Sequence, residues 1–390
     1  MKETNAIDLL KTLVGFDTTS YKSNLEMINF IKDYLNKLNV KSTLIYDDDN
    51  NKANLYATIG QTDIGGIMLS GHTDVVPAPI ENWDSDPFSL TQRNNKLFGR
   101  GSADMKGFIA LVLSRVPQMQ KTKLSRPIHL AFSYDEEVGC VGVHRLLDLI
   151  EKNPINPIFC IVGEPTSMEV VTGHKGKCSN KVKVKGLACH SGQAPFGVNA
   201  INYAAKLMIY ISELDKEKSI TGPFDYDYEI PYTTLHNGII SGGTVTNIVP
   251  DSCKFEFEIR YLANDDPKEL ISKIKNYAKE KLIPNMQKIS KDTNIYFEEK
   301  ISYPGLLIES DAKLVKFIKK LLKNDNHKKV VFGTEGGLFQ KKLNLPTVVC
   351  GPGNINQAHK VNEYITIEQL EKGGIFLDSL IASLDHNFNY

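Results

Sequence analysis

Residues 128–162 read IHLAFSYDEEVGCVGVHRLLDLIEKNPINPIFCIV, and three patterns follow one another in this stretch. Residues 128–134 form an apolar run ended by turn residues, 141–150 repeat their apolar residues at helical spacing, and 158–162 are again a short apolar run. Strand, helix, strand in that order, with strands apolar throughout rather than alternating, is the signature of an α/β domain whose sheet is mainly parallel, buried and flanked by helices. The same pattern extends upstream. Leu25, Ile28, Ile31, Leu35 and Leu38 recur at helical spacing, apolar runs follow at 43–46, 55–59 and 67–69, and a glycine-punctuated loop leads into a helix over 107–119.

Downstream the character changes near Cys178. Lys181-Val-Lys-Val-Lys185 alternates with period 2, as a sheet exposed on one face does. A smaller α+β domain is predicted here, with a helix over 198–214, strands over 233–240 and 254–261, and a helix over 267–282. Buried-strand runs return after 291, at 330–332 and 347–350, and a last helix follows Thr366. The simplest organisation is one α/β domain in two parts, 1–177 and 291–390, interrupted at an exposed loop by an inserted domain over 178–290.

Composition narrows the function. Lys plus Arg and Asp plus Glu are both 46 in 390 residues, so the chain lacks the basic excess that binding a phosphate backbone demands. A hydrophobic share of 41% with 24% charged is that of a soluble globular protein. No run approaches the roughly 18 apolar residues of a membrane span. The start, MKETNAIDLLKTLV, lacks the h-region and cleavage site of a signal peptide, and the six cysteines are scattered without a C-x-x-C pair. The expectation is a cytoplasmic protein with reduced thiols, acting on a small molecule, with neither nucleic acid nor membrane as partner.

Chemistry-bearing residues share one placement. His72, Glu136, Glu137, Glu164 and His359 each follow an apolar strand-like run, and ligands of open α/β sheets bind at carboxyl ends of strands. Asp104 lies in the glycine-rich loop 99–107 that opens a helix. Two imidazoles and four carboxylates suit two adjacent divalent ions bridged by one carboxylate, whereas carboxylates crowded together without cations would repel one another. Asp74, two residues beyond His72 in extended chain, faces the same side and is expected to orient the imidazole. Glu136 is expected to diverge from Glu137, since successive side chains of an extended chain point apart. A dinucleotide-binding reading of the loop at Gly99 fails, because Asp104 stands where the third fingerprint glycine would be.

The segments SGHTDVVP (70–77), GRGSADMKG (99–107), DEEVG (135–139), GEPT (163–166), the stretch around His190 before GVNAI (197–201), GGTVTNIVPD (242–251) and GPGNINQAHK (351–360) run nearly the length of the chain. In number and order they resemble the dinuclear-zinc amidohydrolase and peptidase family. The resemblance implies that His72 and Glu164 hold one metal, Glu137 and His359 the other, and Asp104 bridges them. Zinc is the expected ion, with cobalt or manganese also suited to such ligands. It implies a cis peptide between Asp104 and Met105, and Glu136 as general base in amide hydrolysis. His190 would donate to the oxyanion from the partner subunit of a homodimer, and Asn247 and Arg260 would bind the substrate α-carboxylate. Cys189 departs from the family pattern, standing where glycine is usual, and its backbone is expected to avoid positive φ. Within the family, His174-Lys-Gly176, 163–166 and 351–359 most resemble the branch that cleaves N2-acetyl-L-ornithine to ornithine and acetate in arginine biosynthesis. That substrate carries a side-chain ammonium, for which Glu335 in GTEGG (333–337) is the candidate partner. Succinyl-diaminopimelate desuccinylase and a broader aminoacylase or dipeptidase are the alternatives.

Overall fold

The computed structural model describes residues 5–153, 157–385 and 388, so the expected leaderless start lies in part outside the described residues. In chain order the strands are β1 (Ser42–Tyr46), β2 (Ala53–Ile59), β3 (Ile67–His72), β4 (Thr91–Arg93), β5 (Lys96–Phe98), β6 (Ile128–Ser133), β7 (Phe159–Pro165) and β8 (Val170–His174). They continue as β9 (Gly176–Lys185), β10 (Thr234–Gly242), β11 (Ser252–Tyr261), β12 (Asn294–Tyr303), β13 (Leu306–Leu307), β14 (His327–Val330), β15 (Thr347–Gly351) and β16 (Tyr364–Thr366). The chain divides into two compact units, one of Met1–Gly173, Leu306–Lys329 and Thr334–Tyr390, the other of His174–Gly305 and Val330–Gly333.

The larger unit is built on a sheet ordered β1-β2-β6-β3-β7-β15-β8-β13, with β14 beside β8. Its centre is parallel: β6 with β3, β3 with β7, and β7 with β15. Every residue of these four strands is buried, which is why each reads in the sequence as a continuous apolar run. Antiparallel pairings of β1 with β2, β2 with β6 and β15 with β8 flank this centre. The helix Lys106–Lys121 is buried on nearly every side, and Phe108, Ile109, Val112 and Val116 enter the main core with Leu69, Leu130 and Ile161. A three-stranded ribbon, β16-β5-β4, completes the unit.

The smaller unit is an antiparallel sheet ordered β10-β11-β9-β12. Val182 and Val184 of β9 and Phe255, Phe257 and Ile259 of β11 face one side, where Leu207 and Ile211 of the helix Ala200–Thr221 and Ile274 of the helix Pro267–Tyr277 close a second core. The former helix starts where the Asn199 side chain accepts the Asn202 N–H, and the latter where Asp266 accepts the Lys268 N–H.

Two expectations differ from these elements. The inserted segment does not end at 290, because β12 pairs along its length with β9 and so belongs to the smaller sheet. The run expected as a buried strand over 330–332 is a strand only to Val330, and Val331 is exposed, because the chain leaves the sheet there.

Candidate metal centre

The carboxyl ends of the central parallel strands meet at one place. His72 is the last residue of β3, Glu164 lies near the end of β7, and Glu136 and Glu137 occupy the turn just past β6. Asp104 precedes the helix Lys106–Lys121, its peptide to Met105 is cis, and His359 follows the short helical turn Ile355–Gln357 with φ of 57°. The Asp104 carboxylate is shared between two imidazoles. Oδ1 lies 3.1 Å from His72 Nε2 and Oδ2 lies 3.2 Å from His359 Nε2. Beyond them, Glu164 Oε1 is 3.7 Å from His72 Nε2 and Glu137 Oε2 is 3.0 Å from His359 Nε2. Each histidine thus has its own carboxylate and both share Asp104, a donor arrangement that fits two ions joined by one bridging ligand.

Ligand atoms of His72, Asp104 and Glu137 lie within 4.8 Å of one another, and so do those of His72, Glu136 and Glu164. Glu136 and Glu137 enter different groups that share His72, so Glu136 stays within reach of the centre without joining Glu137 in one ligand set. The turn around it is tight, with Asp135 and Cys140 at φ of 56° and 57°, so the alternation of an extended chain does not apply. The Cys140 thiol donates to Glu136 Oε1 at 3.4 Å.

Asp74 acts differently from the sequence expectation. His72 Nδ1 meets the Asp74 backbone carbonyl at 2.9 Å, while the nearest carboxylate oxygen is 3.6 Å away. The Asp74 carboxylate instead accepts the N–H of Glu136 at 3.1 Å and of Glu137 at 3.2 Å, with the Ser20 hydroxyl at 2.8 Å. It holds the turn that carries both glutamates, and Lys52 braces the same turn through Asp135.

Electrostatics show a site short of positive charge. Burial would depress His72, but the charges of Glu164, Asp104 and Glu136 raise its pKa well above the usual value. Hydrogen bonds to Asp104 and Glu137 raise His359 to about 10. Burial pushes Asp104 upward, yet bonds from the two imidazoles outweigh it and hold this carboxyl below the ordinary range. Glu164 and Glu136 are driven well above the carboxylate range by burial and by neighbouring carboxylates, and Glu137 to about 6 for the same reasons. Divalent cations among these groups would favour their ionised forms.

Glu335, at the start of the helix Gly336–Leu343, is 1% exposed, and burial raises its carboxyl to about 7 despite the nearby Ser133 hydroxyl. His190, Asn247 and Arg260 belong to the smaller unit. His190 is exposed, its Nδ1 accepting the Gly192 N–H at 3.1 Å, and the Asn247 carbonyl accepts the Ser191 N–H at 2.9 Å. Cys189 beside it is free of positive φ, and its thiol donates to the Gln193 carbonyl at 3.3 Å. Arg260 donates to Glu258 at 3.0 Å and to the Tyr303 hydroxyl at 3.2 Å. Ser20, Arg100 and Glu363 lie close to the metal-ligand residues without having been anticipated. Ser20 and Glu363 stand in polar segments where a surface residue is the ordinary reading, and Arg100 lies in the 99–107 segment, where nothing singles out its pairing with Glu363.

Paired imidazoles and carboxylates gathered at the carboxyl end of an open α/β sheet suit a two-ion centre of the kind that metal-dependent hydrolases use. Residues 68–383 match the peptidase family M20/M25/M40, and the chain belongs to that family as a metal-dependent amidohydrolase. It is 31% identical over 374 residues to the acetylornithine deacetylase of Pasteurella multocida, covering 95% of this chain and 94% of that protein. It is 33% identical over 347 residues to the acetylornithine deacetylase of Shigella sonnei, covering 88% and 87%. Among solved structures, the M20 family metallo-carboxypeptidase Sso-CP2 from Sulfolobus solfataricus shares the fold with a TM-score of 0.77 at 21% identity, covering 98% of this chain and 99% of that one.

Proposed function

We propose that this chain hydrolyses N2-acetyl-L-ornithine to L-ornithine and acetate, a reaction of arginine biosynthesis, using two zinc ions. The observation that carries the chemistry is the Asp104 carboxylate facing His72 with one oxygen and His359 with the other. The two acetylornithine deacetylases at 31% and 33% identity support the substrate. His72, Glu164 and Asp104 would hold one ion, and Glu137, His359 and Asp104 the other. Bound there, the pair would polarise the acyl carbonyl and acidify a water.

The protein's own groups handle the protons. Glu136 takes a proton from the attacking water as its oxygen bonds to the amide carbon, then delivers that proton to the nitrogen as the C–N bond breaks. Its carboxylate, within ligand distance of His72 and Glu164, supports this role by its place beside the ions these residues would hold. Asp74 keeps Glu136 in place through the backbone N–H it accepts. Asn247 and Arg260 would bind the α-carboxylate, His190 of a partner subunit would donate to the oxyanion, and Glu335 would pair with the side-chain ammonium. The free Oε1 of Glu335 supports that last pairing. The smaller unit would then serve as lid and dimerisation domain of a cytoplasmic homodimer.

The test is turnover of N2-acetylornithine beside N-succinyl-diaminopimelate and N-acetylmethionine, with and without a chelator. Fastest release from acetylornithine, abolished by chelator and restored by zinc, is expected. Preference for the succinyl or uncharged substrate moves the chain to another branch, and release insensitive to chelator removes the metal from the mechanism. Glu136→Gln should keep its zinc and lose on the order of a hundredfold to ten-thousandfold in kcat.

A further inference from the structure

Arg100 and Glu363 form a buried ion pair, with Arg100 Nη1 donating to Glu363 Oε2 at 2.7 Å and both side chains nearly inaccessible. Arg100 is only one of four donors to this carboxylate. Oε2 also accepts the Gly101 N–H at 3.0 Å, while Oε1 accepts the N–H of Ala103 at 2.9 Å and of Asp104 at 3.0 Å. Three backbone donors from one turn, the last on Asp104 itself, therefore converge on one side chain from 260 residues further along the chain.

We propose that Glu363, held by Arg100, is a positioning residue that fixes the Asp104 carboxylate between His72 and His359. The proposal rests on the reading of Asp104 as the bridging ligand. An ion pair that served only to neutralise a buried charge would need no more than the guanidinium. Here both oxygens are filled by the turn, so the carboxylate sets the turn's shape as well as its charge. Asp104 has little slack, because its two oxygens must face different imidazoles at 3.1 and 3.2 Å.

The pair also joins the other ligand-bearing segments. Glu363 stands four residues beyond His359 and immediately before β16, and the β16–β5 ladder continues past Tyr364 and Phe98 as the Gly99 N–H donates to the Glu363 carbonyl at 3.0 Å. Arg100 Nη2 donates to the Pro77 carbonyl at 3.2 Å, on the segment that begins at His72, and its guanidinium lies 5.2 Å from the Trp83 ring. The segments carrying His72, Asp104 and His359 are thus tied to one buried pair, and none of the three metal-ligand side chains is part of it.

The test is Glu363→Gln, which keeps the shape but turns one acceptor oxygen into an N–H donor facing the donors of the turn. Zinc affinity is measured on folded protein by competition with a chromophoric chelator, beside the visible spectrum of the cobalt-loaded form and the split of kcat from KM. Wild type should bind two zinc ions; the variant should bind them 10- to 100-fold more weakly, with an altered cobalt spectrum, and lose kcat by a similar factor at unchanged KM. Wild-type zinc affinity and cobalt spectrum in folded Glu363→Gln would overturn the proposal while leaving the metal site intact. A wild-type protein that binds no zinc would instead overturn the reading on which it rests. Should Glu363→Gln not fold, Arg100→Lys is measured in the same way, since it keeps a cation for Glu363 but loses the fork that also reaches Pro77. Roughly tenfold weaker zinc binding is expected there, and unchanged binding overturns the proposal.

Discussion

His129 lies on β6 opposite Thr58 of β2, with Thr58 Oγ1 3.0 Å from its Nδ1 and the Tyr56 ring stacked at 5.6 Å. Burial lowers its pKa to about 4 from an ordinary 6.5. The imidazole stays neutral in the fold and gains a proton on unfolding, so the unfolded chain binds more protons at pH values between these two. Stability is therefore intact above about pH 6.5 and falls as pH drops toward 4, by about 3 kcal/mol for this group. Urea midpoints from pH 7 to 4 should decline less in His129→Gln than in wild type. Equal declines would show that His129 charges as easily in the fold as outside it. Legibility at this scale depends on placement. His72 and Glu164 end apolar runs and stand out, whereas Asp74 bonds a turn more than 60 residues away and Glu363 a turn 260 residues away, and no spacing in the sequence reports partners so distant.

At the scale of elements, β7 and β15 deliver Glu164 only because they approach closely at a glycine. Gly351 pairs with Pro165, and a Cβ there would lie 2.0 Å from the Gly163 carbonyl oxygen and 2.6 Å from that of Glu164. Both obstacles are backbone, so the strands must part. Gly351→Ala is expected to destabilise the larger unit by about 1–3 kcal/mol and to weaken zinc binding. Gly238→Ala on β10, where the nearest atoms are 3.8 Å away, should stay within about 0.5 kcal/mol of wild type. Urea unfolding and zinc competition on the pair check this, and equal behaviour of the two variants would rule out close strand approach as the cause. The central strands were legible because burial on both faces makes continuous apolar runs. β12 was not, since Glu298, Glu299 and Lys300 on an edge strand of the smaller sheet break the alternation, and without it the pairing with β9 that extends the smaller unit past 290 has no sign in the sequence.

For the whole molecule, a net charge of zero hides a concentration of charge in one unit. Asp104, Glu136, Glu137 and Glu164 are all in the larger unit, as are His72 and His359, while each unit has its own apolar core. Metal that binds only the native arrangement stabilises what holds its ligands, by about 2.7 kcal/mol per site at a hundredfold excess over Kd. Amide hydrogen exchange separates the two units. Zinc should raise protection at Leu69, Leu130, Ile161 and Val349, in the four central strands, and leave Val182 and Phe257 of the smaller sheet unchanged. An equal rise in both sets would mean that the two cores open as one cooperative body, and no rise in either would take the metal away from these carboxylates. The composition therefore describes a balance that holds over the chain but not at the site, where neutrality depends on what the ligands bind.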